Sequence, residues 1–229
     1  LLENQRNLPP LERVCQLIKD RGTHAPTVAE GVVERALSCT HLRSSKLYDA
    51  LFSVYAKRGL WERAWSAWQK MMNTGLTPRT ATYTEAIRAL SRRPDLAEQL
   101  FRSMKQKNVA PDVDTYAAVM RLRIEDEAAR DTEYRLSGTL AKVEEVWDEM
   151  IGAGVKPNAK AYTVLLYAFG RAGQPQRAER AFEDFRREGG VPDITVLNVM
   201  LKIRVDNGEN PLSLLELLRE LGYACYTKQ

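Results

Sequence analysis

The chain has 229 residues, of which 44% are apolar and 28% are charged, a composition typical of a folded globular protein. It excludes a largely disordered chain, because the apolar surface is enough to offset the entropy of ordering, and no apolar run approaches the ~20 residues of a membrane-spanning helix. The net charge of +4 divides into +7 for residues 1–112 and −3 for residues 113–229, so the first part is the better candidate for contact with a polyanion.

Residues 1–44 are predicted to form an N-terminal helical cap or a degenerate repeat. Residues 1–8 resemble neither a secretory signal nor an Arg-rich transit peptide, so no targeting segment is recognised. The stretch LERVCQLIKDRG has a helical pattern. With Pro26 after it, this stretch resembles the second half of the repeats that follow.

Residues 45–79 are predicted to form a hairpin of two helices. Gly59 ends the first helix, and Gly75 and Pro78 end the second, since glycine favours a helix C-terminus and proline does not continue a helix. Apolar side chains follow one face of each helix at the i, i+3, i+4 and i+7 spacing. On the first helix these are Tyr48, Leu51, Phe52 and Tyr55, and on the second they are Trp61, Ala64, Trp65, Trp68 and Met71.

This repeat returns three times, at residues 80–112, 113–158 and 159–193. A proline closes every repeat, a tyrosine stands near its start, and a small or β-branched residue recurs in the middle, where it lets the two helices approach closely. The prolines are Pro78, Pro111, Pro157 and Pro192, the tyrosines are Tyr48, Tyr83, Tyr116 and Tyr162, and the middle residues are Ala64, Ala97, Val143 and Ala178. The tyrosines, with the tryptophans of the second helices, are predicted to pack between helices.

Two parts of the chain depart from this period. The third repeat is eleven residues longer than 35, and its excess near residues 126–137, DEAARDTEYRLS, is predicted to be a solvated loop or a helix extension. A contact with a partner is the alternative for this insertion. Residues 194–229 are predicted to form a degenerate fifth repeat and a C-terminal tail.

The repeats are predicted to stack on one another, because one hairpin cannot bury its own apolar face. A repeat of about 35 residues with tyrosine near its start, a small residue at its middle and M…G…P-D/N at its end resembles the pentatricopeptide repeat family. The tetratricopeptide repeat has a similar period, but its W-x₂-LG-x₂-Y opening is absent. The predicted fold is all-α, a right-handed superhelical solenoid of helix-turn-helix repeats.

The resemblance implies binding of single-stranded RNA, at about one base per repeat. It also implies that the fifth and the last residue of each repeat read the base edge. These positions are held by Asp49 and Arg79, by Thr84 and Asp112, by Ala117 and Asn158, by Thr163 and Asp193, and by Asn198 in the fifth repeat.

The pairs differ in what they can recognise. Threonine with a terminal aspartate, in the second and fourth repeats, resembles a guanine-preferring combination, since hydroxyl and carboxylate oxygens can accept from guanine N1–H and N2–H₂ groups. Ala117 offers no side-chain hydrogen bond, and Asp49 can close on Arg79 as an ion pair. The family's usual second-position valine, which packs on the base, is absent, and this weakens the prediction of sequence-specific readout. The second positions hold Lys46, Ala81, Asp114, Lys160 and Thr195.

Cations recur on the same predicted face of the first helices. Steps of three or four residues from the fifth position reach a Lys or Arg in every repeat, a pattern suited to following phosphates. The alternative is that charged residues simply populate exposed helix faces. The predicted phosphate contacts are Lys57, Arg88, Arg92, Arg121, Arg171 and Lys202, with Arg93 beside them and Lys46 and Lys160 at second positions.

Catalytic and cofactor motifs are missing from the sequence. Three widely spaced cysteines form no CxxC pair and fit a reducing compartment, and neither His24 nor His41 lies near a cysteine at the spacing of metal ligands. No Gly-rich phosphate loop or deaminase signature occurs. The chain is therefore predicted to be no enzyme and to use no metal, cofactor or small-molecule substrate.

Two functions fit these observations. The first is a non-catalytic organellar RNA-binding protein, mitochondrial before plastid, that holds single-stranded RNA and acts in its processing, stability or translation. The second is an architectural subunit of a mitochondrial ribosome or another large ribonucleoprotein, with eroded base readout and contacts with rRNA and neighbouring proteins. The organelle is implied by the family resemblance alone, whereas the recurring cations support the RNA part independently.

Overall fold

A computed structural model describes residues 11–22, 24–39, 44–128 and 136–222, and the regular structure within these residues is entirely helical. Beyond α2 the helices alternate, so that α3, α5, α7, α9 and α11 are the first helices of the predicted repeats and α4, α6, α8, α10 and α12 are the second helices. In chain order they are α1 (Leu11–Gly22), α2 (Pro26–Ser38), α3 (Lys46–Arg58), α4 (Trp61–Asn73), α5 (Thr80–Ala89), α6 (Pro94–Gln106), α7 (Val113–Ala128), α8 (Leu136–Gly152), α9 (Ala159–Arg171), α10 (Pro175–Arg187), α11 (Ile194–Asp206) and α12 (Leu212–Glu220).

The helix boundaries follow local signals in the sequence. Pro26, Pro94 and Pro175 open α2, α6 and α10, where the missing N–H of proline costs nothing because the first N–H groups of a helix have no partner within it. Gly59 ends α3 with a φ of 64°, a left-handed conformation that residues with a Cβ rarely adopt.

Residues 1–126 form one compact unit, the N-terminal unit. Within it, α3 contacts α1 on one side and α5 on the other, while α4 and α6 pack against α5. Tyr83 is fully buried with its ring centroid 5.0 Å from that of Trp68, and Tyr116 lies 6.0 Å from Phe101. The prediction that these tyrosines pack between helices is confirmed.

Residues 127–229 form the other compact unit, the C-terminal unit. Here α9 contacts α8, α10 and α11. The Tyr162 ring lies between Trp147 and Phe185, at centroid distances of 5.0 and 4.8 Å. Helices α9 and α11 approach so closely at Gly170 that a Cβ there would stand 2.8 Å from a side-chain carbon of Ile203.

The small residues in the middle of each repeat lie in the core. Ala64 and Ala97 are 1% and 0% exposed in the N-terminal unit, and Val143 and Ala178 are both 0% exposed in the C-terminal unit. A larger side chain at these positions would have no free volume to enter, since protein interiors are close-packed. Their burial therefore agrees with the prediction that they allow close packing of the helices.

The predicted all-α fold of consecutive helical hairpins is confirmed for the described residues. Helix α7 continues to Ala128 and helix α8 begins at Leu136. The rest of the predicted insertion near 126–137 lies outside the described residues, as do residues 1–10 and 40–43 of the predicted cap and residues 223–229 of the predicted tail. Along the described ranges, no helix has both the length and the apolarity to cross a bilayer.

Candidate nucleic-acid interface

The predicted readout residues of the first repeat are joined to each other. Asp49 on α3 and Arg79, the N-cap of α5, form an ion pair. The Asp49 carboxylate also accepts from the Thr82 hydroxyl at 2.5 Å, and Arg79 donates to the Ser45 hydroxyl at 3.1 Å. The ion pair that the sequence allowed is thus present.

Burial governs the electrostatics of this pair. It raises the pKa of the Asp49 carboxyl above its usual range, although the Thr82 hydroxyl and the Arg79 guanidinium both act in the opposite direction. The carboxylate side chain is 17% exposed, whereas the Arg79 side chain is 48% exposed. The pair therefore links the start of α5 to α3, and it does so with the two side chains that were predicted to read a base.

The readout residues of the second repeat are connected through a third residue. Thr84 is 4% exposed, and its hydroxyl lies 2.7 Å from that of Thr115 on α7. The Thr115 hydroxyl donates to Asp112 Oδ1 at 2.7 Å, and the same oxygen accepts from the Thr115 backbone N–H at 2.8 Å. The hydroxyl expected to meet guanine is therefore used inside the protein.

In the third and fourth repeats the readout positions hold side chains with local structural roles. Ala117 is 8% exposed, and the Thr163 hydroxyl, 9% exposed, donates to the Ala159 carbonyl one turn earlier at 2.7 Å. Asn158 caps α9 by accepting from the Ala161 N–H at 3.1 Å. In the fifth repeat Asn198 is exposed on α11.

The terminal aspartates and asparagine share a capping role that the readout prediction did not include. Asp193 accepts from the N–H groups of Thr195 and Val196 at 2.9 Å, as Asp112 and Asn158 do at the starts of α7 and α9. The signal was visible in the sequence, because Asp and Asn immediately before a helical stretch are favoured N-caps. Capping uses one carboxylate oxygen, Oδ1, of each aspartate.

Eight of the nine predicted phosphate contacts divide into two groups, according to whether the cation pairs with an acidic side chain. Four of these cations already pair with an acidic side chain: Lys46 with Glu12 at 3.5 Å, Arg88 with Glu85 at 3.1 Å, Arg93 with Asp95 at 2.8 Å, and Lys202 with Asp206 at 3.1 Å. Arg93 also lies over the Trp61 ring, 4.9 Å from its centroid. These four cations are therefore already engaged in ion pairs within the protein.

The second group consists of exposed cations that have no acidic partner among the described residues. We name Lys57, Arg92, Arg121 and Arg171 the basic positions. Lys57, Arg92 and Arg171 each stand eight residues after the fifth position of their repeat, and Arg121 stands four residues after it. Lys160 is exposed at its second position and belongs to neither group.

Two basic positions of the N-terminal unit lie where a first helix ends. Lys57 is in the last turn of α3, whereas Arg92 is in the turn after α5, beyond the helix on which it was predicted. The guanidinium carbon of Arg92 is 3.3 Å from the place that a Cβ on Gly59 would occupy. Gly59 directly follows the last turn of α3, which carries Lys57. The Arg92 guanidinium therefore lies beside the turn between α3 and α4 at Gly59, which is two residues along the chain from Lys57.

Comparison with known proteins identifies the fold family. A family model described as the pentacotripeptide-repeat region of PRORP matches residues 44–202. The chain belongs to the pentatricopeptide repeat family. The match covers the four full repeats predicted here and most of the first helix of the degenerate fifth.

Several curated pentatricopeptide repeat proteins of Arabidopsis thaliana are similar to this chain. A chloroplastic protein is 26% identical over 77% of this chain and 22% of its own length, and a mitochondrial one is 25% identical over 84% and 44%. The small ribosomal subunit protein mL103 is 23% identical over 84% of this chain and 45% of its own length. The chain thus spans between about a fifth and a half of the length of these relatives.

The solved structures include proteins of the same fold. The pentatricopeptide repeat protein PPR10 in complex with an 18-nucleotide psaJ RNA element has a TM-score of 0.57 and 21% identity, over 94% of this chain and 32% of PPR10. At this identity the likeness establishes the fold. The hairpin repeats described above are therefore pentatricopeptide repeats in structure as well as in sequence.

Two of the three cysteines of this pentatricopeptide repeat protein lie within the described residues. Within the described part of the chain, no three His, Cys, Asp or Glu side chains come together as a metal site. Cys15 and Cys39 are free, and burial raises the pKa of the Cys15 thiol, which favours the unreactive protonated form. The arrangement of charges is suited to contact with phosphates instead.

Proposed function

We propose that this chain is a non-catalytic RNA-binding protein that holds single-stranded RNA against the basic positions. The observation that carries the proposal is the recurrence of exposed cations without an acidic partner in the described residues at Lys57, Arg92, Arg121 and Arg171. An unneutralised cation gains more from a phosphate than one that must first give up a carboxylate, and its binding releases counterions from the strand.

Phosphate contact contributes more to this binding than recognition of bases. The Thr84 hydroxyl and one oxygen of Asp112 are occupied within the protein, and Asp49 is paired with Arg79. The remaining carboxylate oxygen of Asp112 and that of Asp193 are left for guanine. A modest preference for guanine opposite the second and fourth repeats follows.

The proposed location is an organelle, the mitochondrion before the plastid. The relatives described above include one named as chloroplastic and one named as mitochondrial. Action in the processing, stability or translation of an organellar transcript fits a protein that covers a strand and carries out no chemistry. The proposal includes no small-molecule substrate and no cofactor.

A second candidate function is that of an architectural subunit of a mitochondrial ribosome or another large ribonucleoprotein. It is favoured by the engagement of the readout side chains of the first two repeats with the protein itself. Similarity to the small ribosomal subunit protein mL103 supports it as well. In this role the basic positions meet folded rRNA, and neighbouring proteins cover other faces.

A salt series with matched variants tests the main proposal. Lys57, Arg92 and Arg171 are replaced together by alanine, and binding to a fluorescent single-stranded RNA is measured at several salt concentrations. The control variant carries alanine at Lys70, Arg102 and Arg187. This lysine and these two arginines lie on second helices, and each pairs with an acidic side chain. Both variants lose the same net charge.

The expected result is a reduced salt dependence in the first variant alone. Each lost phosphate contact lowers the slope of log K against log [salt] by about 0.7 for a single strand, so three contacts lower it by roughly 2. Equal slopes for the two variants would overturn the proposal that the basic positions bind phosphates. Absence of single-strand binding by the native chain, with co-sedimentation on ribosomal particles, would favour the second candidate.

A further inference from the structure

One aromatic side chain of the C-terminal unit lies in solvent. Tyr167 on α9 is 43% exposed, whereas every other aromatic residue that the structure describes is buried or half-buried. Many of those rings pack in pairs with centroids 4.8–6.2 Å apart. Tyr167 contacts no other ring within the described residues, so its exposure is not explained by packing.

Tyr167 lies on the same helix face as a predicted readout residue and a basic position. Thr163, the readout position of the fourth repeat, precedes it by one helical turn, and the basic position Arg171 follows it by one turn. Residues four apart share a helix face. The neighbouring helix α11 carries the exposed side chains Asn198 and Lys202 at the corresponding positions.

No other repeat has an aromatic residue at this position. The equivalents of Tyr167, four residues after the fifth position, are Ser53, Arg88, Arg121 and Lys202. Tyrosine therefore replaces a small polar or cationic residue in one repeat alone. A flat ring beside a cation offers a stacking surface for a base and a contact for the adjacent phosphate.

We infer that Tyr167 stacks on one unpaired base of a bound RNA strand while Arg171 contacts a phosphate next to that base. This inference rests on the proposed function and adds to it a binding residue at a defined repeat. A nucleobase is favoured over an apolar protein segment, because the exposed residues at the adjacent and corresponding positions, Arg171, Asn198 and Lys202, are polar or cationic. Stacking is tolerant of base identity, since every base has a π-face.

The test uses the full chain, a fluorescent single-stranded oligouridylate and the same strand with abasic sites throughout. Tyr167→Ala is expected to weaken binding of the oligouridylate by roughly tenfold without changing the salt slope. Tyr167→Phe is expected to bind like the native chain, because the ring is retained. Arg171→Ala is expected to lower the salt slope.

Two controls separate stacking from other effects. Ile151→Ala removes another exposed apolar side chain, 48% exposed on α8, and is expected to leave RNA affinity unchanged. On the abasic strand, Tyr167→Ala and the native chain are expected to bind equally. Native affinity of Tyr167→Ala for oligouridylate would overturn the inference and leave the proposed function intact, whereas failure of the native chain to bind any single strand would overturn both.

Discussion

The hydroxyl of Thr84 lies 2.7 Å from the hydroxyl of Thr115, in a buried contact that joins α5 to α7. Thr84 is the fifth residue of its repeat and Thr115 is the third residue of the next. The contact between Asp49 and Thr82 links the same two positions one repeat earlier. In both repeats the fifth residue therefore contacts the third residue of the following repeat, and its side chain is engaged within the protein.

Removal of the Thr115 hydroxyl tests whether this link stabilises the repeat array. Thr115→Val removes the contact with the Thr84 hydroxyl, which still donates to the Thr80 carbonyl at 3.0 Å. It also removes the hydrogen bonds that the Thr115 hydroxyl makes with Asp112. We expect the free energy of unfolding to fall by about 1–2 kcal/mol, between the usual contribution of a neutral hydrogen bond and that of a hydrogen bond to a charged group. Urea denaturation measures the change.

Thr195→Val serves as the control for this variant. Thr195 is exposed at the start of α11, and its contact with Asp193 is made by the backbone N–H, which valine retains. An exposed substitution of this kind changes stability by no more than about 0.5 kcal/mol. If Thr115→Val destabilises no more than Thr195→Val, the hydroxyl link contributes nothing.

The fold could be predicted from the sequence because its signals are local and repeated. The tyrosine, the small middle residue and the closing proline recur in register, and each is a property of a single repeat. Tyr83 and Ala97 accordingly lie in the core, as predicted. The stacking of hairpins then follows from the need to bury apolar faces.

The candidate site could be predicted only in part, because the use of a side chain depends on its neighbours in space. The position of Thr84 in its repeat is read from the sequence, but its burial depends on Thr115 in the next repeat. Likewise Arg93 is held by Asp95, two residues away, whereas Arg92 has no acidic partner in the described residues. The exposure of Tyr167 likewise depends on its neighbours in space and could not be predicted from spacing.

The ion pair of Asp49 and Arg79 gives a pH-dependent prediction. Burial raises the pKa of folded Asp49 above its unfolded value, so ionisation of this carboxyl lowers stability as the pH rises from about 4 through the folded-state pKa. Arg79 lowers that pKa, and Arg79→Ala therefore raises it further. The variant is expected to lose more stability at pH 7 than at pH 4, because a larger fraction of Asp49 is protonated at the lower pH.

The measurement is urea denaturation of the native chain and of Arg79→Ala at both pH values. The double variant Asp49→Asn with Arg79→Ala is the control, since it has no carboxyl to titrate. Its loss relative to Asp49→Asn is expected to be the same at pH 4 and pH 7. A loss for Arg79→Ala that is independent of pH contradicts the electrostatic account of this pair.

Two glycines within helices predict opposite effects of the same substitution. Gly170→Ala places a Cβ 2.8 Å from Ile203 Cγ1, so the Ile203 side chain or the two helices α9 and α11 must shift, and we expect a net loss of about 1–2 kcal/mol. At Gly31 in α2, an added Cβ would meet no neighbouring atom within 4 Å. Gly31→Ala is therefore expected to stabilise by about 1 kcal/mol, the difference in helix propensity.

Thermal or urea unfolding of both glycine variants checks this pair of predictions. The variant Gly170→Ala with Ile203→Val removes a methyl group near the contact and is expected to recover part of the loss. Equal stabilisation by Gly31→Ala and Gly170→Ala would show that α9 and α11 are not in close contact at Gly170.

Two buried tyrosines predict a contrast between satisfied and unsatisfied hydroxyls. The Tyr83 hydroxyl is buried and has no hydrogen-bond partner among the described residues, whereas the Tyr55 hydroxyl donates to Glu30 at 2.6 Å. Tyr83→Phe relieves an unpaired polar group and is expected to leave stability unchanged or to raise it by about 1 kcal/mol. Tyr55→Phe deletes a hydrogen bond to a carboxylate and is expected to cost about 1.5–3 kcal/mol.

Both tyrosine variants keep the aromatic ring, so each change in the free energy of unfolding reports only the removal of the hydroxyl. Their stabilities are compared by urea denaturation at pH 7, where burial and Glu30 keep Tyr55 protonated by raising its pKa. A loss for Tyr83→Phe as large as that for Tyr55→Phe would mean that the Tyr83 hydroxyl has a partner in solution. A smaller loss for Tyr83→Phe supports the view that this tyrosine is retained at the start of its repeat for the packing of its ring against Trp68.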